Sequence, residues 1–479
     1  MEASNYNNAA SPITSVLLGA VICSAILLAT LPGGNLINIG ISGLFVVFVL
    51  FNAVAGKRAL WFSPEILILV AWLSFSMIGT LTAIDTETAM FKSLTMLQVM
   101  ILAFCIQQVI IWNQGNSSNL IVYGVAVSLS YLLTFTGISA QEVAGAEDVA
   151  GDVNRVASTL NDENTFGAVA LMGFSFCLIA LAKNKNKVAV LPLGLLLMLL
   201  FMAVVNSGSR TAFLGGVLLL LGSIWGFSLW RGAQLGKFLM YGAIAVVAGG
   251  AIFLGAKSIP EVEDRIEAVF SSDSQIISRV EGFIDVLLSG DTKAEEGESI
   301  DSRVSMINDG IEVVSNNPFV GVGLDNFRTV TGAGTYAHSN LIEVGASTGL
   351  VGLLIYYAMY AVLTLRIFRL MRIKGVDASV AKLALVGLMA YFLMDITRVS
   401  YYEKTSWIYF AMLAALIETH LRAAKMQQQA FDIPQMSKSG RKRRRRKKAY
   451  KPGSSIDTLV DDNNDLDQLF EQDGSTAVK

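Results

Sequence analysis

Titratable chemistry is scarce in this chain: its 479 residues include two histidines and three cysteines, and only 15% of them are charged. The three cysteines, Cys23, Cys105 and Cys177, each lie inside a long apolar run. That placement argues against a disulfide framework or a thiolate metal site, leaving them as packing residues. With 53% hydrophobic residues and a mean hydropathy of +0.55, so little charge is incompatible with a soluble protein of this length. The first twelve residues carry no Lys or Arg, and no A-x-A site follows the first apolar run. That run is therefore expected to remain as an anchor and not to be removed as a signal peptide.

What is present is a succession of apolar runs long enough to cross a bilayer. Roughly twelve are expected, near 13–31, 37–55, 65–83, 94–112, 119–138, 165–182, 188–205, 212–229, 238–256, 340–365, 379–396 and 406–421. Lys and Arg gather in alternate connections: Lys57 and Arg58; Lys183, Lys185 and Lys187; Arg231 and Lys237; Arg366, Arg369, Arg372 and Lys374; then a basic tail. The positive-inside rule puts both termini in the cytoplasm and makes this an all-α polytopic membrane protein. Four regions follow: nine spans in 1–256, a large extracytoplasmic loop at 257–337, three spans in 338–422 and a cytoplasmic tail at 423–479.

The long outer loop has helical patterning, with helices expected over 261–270 and 276–288. A third is expected from Asp301 or Ser302 to Asn316, with Val304, Ile307, Ile311 and Val314 on one stripe, stopped by Asn317–Pro318. Such a loop would cap a cavity between the spans. Arg265, Arg279, Arg303 and Arg328 stand out in its acidic sequence. An ordinary solvated ion pair is the simplest reading of any one of them. Arg210 differs, because NSGSRTAFLGG puts it in a short turn between two apolar runs. A guanidinium there is expected to be partly desolvated and shaped for phosphate oxygens, the alternative being an arginine that snorkels to lipid headgroups.

His338 opens the run AHSNLIEVGASTGLVGLL, where a polar loop turns into an apolar helix. An imidazole changes charge near neutral pH and moves protons. Gly345, Gly349 and Gly352 are spaced four and three residues apart, one face of a helix. They read as a stripe for close helix packing, or as a smooth channel for an apolar chain. Glu343 is too far round the same helix to partner His338 by spacing alone. No DxD stands on an outer loop and no His, Cys or carboxylates cluster with ligand spacing, so neither metal nor other cofactor is expected.

Three pieces together resemble the O-antigen ligase and O-antigen polymerase superfamily: the NSGSRTAFLGG turn, the run from Arg303 through NNPFVGVGLDNF, and the H-S-x9-G-x-x-G element at His338. The stretch NRVASTLNDENTFGAVAL, with Arg155 and Asn164, is similar to one preceding a span in that family. The resemblance implies a GT-C-like membrane fold of about twelve transmembrane helices. It implies an inverting, metal-independent glycosyltransferase moving a glycan from undecaprenyl diphosphate to an acceptor hydroxyl at the outer face of the cytoplasmic membrane. By the same resemblance His338 is the catalytic or acceptor-orienting group, Arg210 and Arg303 bind the diphosphate, and Arg279 is an alternative to Arg303. Arg155, Asn164, Asn340, Arg328 and Arg398 are candidates for binding the acceptor or lining the cavity, with Asp395 beside Arg398.

The tail changes character abruptly, with KSGRKRRRRKKAYK at 438–451 and an acidic run over 457–473. It is expected to be disordered, to hold anionic headgroups, and to meet polysaccharide-assembly proteins; nucleic acid is not an expected partner. Two competing readings are a transporter or flippase for a lipid-linked saccharide, which twelve spans with both ends inside would suit, and an oligosaccharyltransferase-type enzyme using Asp85 or Glu87 with a metal.

Overall fold

The computed structural model describes residues 12–28, 34–56, 58–133, 160, 163–184, 186–227, 297–332, 336–373 and 377–448. The expected span at 238–256, the loop helices at 261–270 and 276–288, Arg155, Arg279 and the acidic tail lie outside them.

The described chain is helical: α1 (Pro12–Leu27), α2 (Gly34–Ala55), α3 (Pro64–Thr80), α4 (Thr86–Trp112), α5 (Ser118–Leu133), α6 (Glu163–Lys183), α7 (Val190–Asn206), α8 (Arg210–Gly226), α9 (Gly297–Asn316), α10 (Phe327–Thr331), α11 (Asn340–Met371), α12 (Ser379–Thr397) and α13 (Lys404–Lys448). Among the described residues five helices, α2, α4, α6, α11 and α12, are long and apolar enough to cross a membrane. Five others, α1, α3, α5, α7 and α8, are as apolar but have 16 or 17 residues. At 1.5 Å per residue these reach about 24–26 Å, just under the hydrocarbon thickness. In lipid the backbone must satisfy itself, so uninterrupted runs of Leu, Val, Ile, Ala and Phe close into helices. Ser63, Asp85 and Ser209 cap α3, α4 and α8 by accepting a backbone N–H with their side chains.

Contacts divide the chain into two units, 1–422 and 423–479. In the first, α6 is central, with every residue from Phe166 to Ala180 buried, and α5, α7, α8 and α12 pack against it. By contrast, α2 leaves Leu36, Ile39, Val47, Phe51 and Val54 exposed, as a lipid-facing helix would. In the second unit the described residues, up to Lys448, are helical, where disorder was expected. The stretch is rich in Lys, Arg, Gln, Met and Ala, all good helix formers.

Polar bonds gather at the two ends of the first unit. At one end Asn113 Nδ2 donates to Ser15 Oγ (2.8 Å), Ser63 Oγ to Gln107 Oε1 (2.9 Å) and Lys183 to the Gly115 carbonyl. There too Arg366 joins Glu65 (2.6 Å) and Glu418. At the other end Thr397 Oγ1 donates to Thr211 Oγ1 (3.1 Å), Lys404 Nζ to Asn38 Oδ1 (2.6 Å), and Asn326 exchanges bonds with Asp85. Helices α1 to α8 alternate in direction between these ends, and so do α11 to α13.

The glycines of α11 do not form a stripe. At Gly349 the helix breaks (φ 67°, ψ −178°), so Gly345 and Gly352 lie on separate helical pieces. The NNPFVGVG run crosses the break as a strap. Val322 and Gly323 N–H donate to the Ala346 and Ser347 carbonyls (2.9 and 3.0 Å), and Leu350 N–H donates to the Pro318 carbonyl (2.8 Å). A Cβ on Gly349 would meet Phe319 C at 2.5 Å, and one on Gly321 (φ 71°) would meet the Ala346 carbonyl at the same distance. Both positions need positive φ and close backbone approach, which only glycine supplies at no steric cost.

The third loop helix begins at Gly297, earlier than expected. Its inward face is Gly310 and Val313, whereas Ile307 and Ile311 are exposed. The rotation follows from contact with α11, because a Cβ on Gly310 would stand 2.1 Å from Ile342 Cγ2. Val313, Val322, Phe327, Ala337 and Ala346 make a small core of their own there.

Gly349→Ala is expected to destabilise the protein by about 1–3 kcal/mol, read as a lowered thermal midpoint in detergent. Gly345→Ala, where a Cβ meets nothing closer than 3.4 Å, should change it little.

Candidate functional site

The strap and the first piece of α11 form a platform for the loop that carries His338. Asn326 is fully buried; its Oδ1 accepts the Asp85 N–H (2.7 Å) and its Nδ2 donates to the Asp85 carbonyl (3.1 Å). This two-way clamp fixes the strap to the start of α4. Asp85 caps that helix, accepting the Thr88 hydroxyl (2.6 Å) and N–H (3.0 Å). The Thr88 hydroxyl, then the Thr88 N–H, lower the pKa of its carboxyl below the usual value. It is thus held as a structural anion, a poor choice of acid.

Asp325 accepts from Lys92 (3.2 Å) and Arg328 (3.0 Å), so Arg328 forms the ordinary ion pair of the simplest reading. Lys92 also stands 4.0 Å over the Tyr402 ring, tying the strap to the segment before α13.

His338 is partly buried with φ 50°, in the left-handed region that non-glycine residues rarely occupy. Tyr336 packs on its ring, with centroids 4.6 Å apart. Glu343, buried in the first turn of α11, accepts the N–H of Ala337 through Oε2 (2.9 Å). Glu343 therefore acts on the residue before the histidine through the backbone, a contact that helix spacing could not reveal. Strain of this kind persists where surrounding bonds over-determine it, and it concentrates at working sites.

Two residues on, Asn340 is fully buried and its Oδ1 accepts the N–H groups of Ser400 and Tyr401 (3.0 and 2.9 Å). Its Nδ2 donates to Asp395 Oδ2 (3.3 Å), which also accepts from Tyr360 (2.7 Å). All four of these bonds are structural, so Asn340 anchors the 395–401 segment. Arg398, also buried, pairs with Glu403 and donates to Thr165 Oγ1 (3.2 Å) and Ser406 Oγ (3.1 Å). Asn164 precedes Thr165 at the start of α6 and is half-buried.

Arg210 is the first residue of α8, and its side chain is exposed at the end of the helix, not enclosed in the turn. Its neighbour Thr211 holds Thr397. Arg210 and His338 therefore belong to segments anchored on one stretch, 395–404, at one end of the bundle. Arg303 lies on α9; its side chain is outside the described residues.

Residues 195–357, which include α8, α9, the strap and the His338 loop, match the O-antigen ligase family model. This stretch is an O-antigen ligase family domain. A search of curated proteins finds no match. The family match over this stretch, together with the apolar helices, makes the chain an integral membrane protein.

Glu343→Ala would leave the Ala337 N–H without its acceptor, at a cost of about 1–3 kcal/mol. Limited proteolysis should show faster cleavage around 332–340, with Glu343→Gln close to wild type.

Proposed function

We propose that the chain is a metal-independent, inverting glycosyltransferase of the O-antigen ligase or polymerase type. It transfers a glycan from undecaprenyl diphosphate to an acceptor hydroxyl at the outer face of the cytoplasmic membrane. On this reading the chain makes about twelve spans with both termini cytoplasmic, and the Arg210 end of the bundle faces outward. Within the O-antigen ligase domain, the observation that carries it is the His338 loop: a strained imidazole position, fixed by Glu343 and Asn340, at the same bundle end as the Arg210 guanidinium.

In a single displacement the acceptor oxygen bonds to the anomeric carbon as that carbon's bond to the diphosphate oxygen breaks, inverting the centre. His338 takes the proton from the acceptor hydroxyl. Arg210 stabilises the negative charge that builds on the departing diphosphate. Arg303, with Arg279 as the alternative, supplies a second guanidinium from the outer loop. The basic tail holds anionic headgroups on the cytoplasmic side and offers a surface for polysaccharide-assembly proteins.

A carrier would use a broken helix to coordinate cargo at mid-membrane. Here the strap occupies the break in α11 and takes up the Ala346 and Ser347 carbonyls, which favours surface chemistry over transport.

With a labelled undecaprenyl-diphosphate glycan and purified protein, His338→Ala is expected to lower transfer about 100- to 10,000-fold. Arg210→Ala should lower it by about 100-fold or more, and a chelator should leave the wild type active. Undiminished transfer in both variants would remove the proposed site.

A further inference from the structure

A cavity of about 840 Å³ lies between α1, α2, α4 and residues 402–405, within the size range of small-ligand sites. Its walls are mainly apolar, among them Val46, Val99 and Leu102. Ile39, Val47 and Ile101, also in the lining, are 60%, 65% and 39% exposed, so the cavity opens sideways on the face that would meet lipid. Its other end is polar. Lys404 Nζ donates to Asn38 Oδ1 and Ser42 Oγ, both at 2.6 Å and both neutral. Among the described residues no carboxylate pairs with it, because Glu403 beside it is engaged by Arg398. Asn35 and Gln98 also line this space, exposed, without a hydrogen bond to any described residue. Amides and an ammonium on helices of such apolarity are costly against hydrocarbon alone.

We propose that this cavity is a lateral site for an anionic phospholipid of the bilayer, its phosphodiester on Lys404, its head and ester groups against Asn35 and Gln98, and an acyl chain between α2 and α4. Lys404 begins α13 and Asn35 lies near the start of α2, so both stand at the helix ends, where headgroups lie. One uncompensated ammonium matches the single charge of a phosphodiester. A diphosphate would leave further charge unmatched, which separates this site from the donor site read at Arg210.

The full chain, purified in detergent, is photolabelled with a phosphatidylglycerol carrying a diazirine in its acyl chain, and labelled peptides are mapped by mass spectrometry. Label is expected on the α2 and α4 residues of the cavity, displaced by excess unlabelled phosphatidylglycerol. It should fall about fivefold in Lys404→Met and stay near the wild-type level in Lys404→Arg. Val47→Trp, which fills the opening and leaves Lys404 in place, should block it. Undiminished labelling in Lys404→Met or Val47→Trp would overturn the proposal. So would displacement by undecaprenyl diphosphate but not by phosphatidylglycerol, which would give the cavity to the prenyl lipid. Transfer activity does not enter this readout, so its loss or absence leaves the test intact.

Discussion

A broken helix inside an apolar bundle must find new partners for the backbone groups it releases, and in this protein residues 318–323 provide them. The Ala346 and Ser347 carbonyls and the Leu350 N–H are all taken up by the strap. Leaving such groups unpaired in lipid costs several kcal/mol each. The break and the strap are therefore one structural device. Each half takes up backbone groups of the other, and the two tight approaches need Gly321 and Gly349.

The site follows from that device. The strap ends in Asn326, which is clamped to Asp85 and so to α4. The first piece of α11 starts at Asn340, which holds the 395–401 segment, and contains Glu343, which holds the residue before His338. A left-handed histidine is thus fixed from both sides by buried polar groups. Arg398, Glu403 and Thr165 extend the same polar layer to the edge of the cavity below Lys404. Polar groups gather at both ends of an otherwise apolar body, and at this end they hold the loop that carries His338.

Much of this was legible in the residues. Apolar runs over 37–55, 165–182 and 379–396 dictate helices because the backbone has no other partner in lipid. Asn317–Pro318 marks the end of α9 because proline cannot continue it. The motif order pointed to the family whose model matches 195–357. Misreadings arose where a residue's neighbour is distant in sequence. Gly345, Gly349 and Gly352 have helical spacing, but Gly349 faces the strap about thirty residues earlier, and a one-dimensional periodicity has no record of it. The α9 stripe was rotated for the same reason, since Gly310 is selected by the approach of Ile342 and not by hydrophobicity.

What the sequence by itself determined is the helical, membrane-embedded character of the chain and the likeness of residues 195–357 to the O-antigen ligase family. These depend on local composition and on side-chain chemistry that each residue carries wherever it sits. Only the tertiary structure decided that Glu343 acts through the Ala337 N–H, that Asn340 anchors a segment near residue 400, and that Lys404 meets the neutral Asn38. Each of those contacts depends on a backbone group or on a residue remote in the chain. Folding brings such pairs within bonding distance, and no pattern of neighbouring residues encodes them.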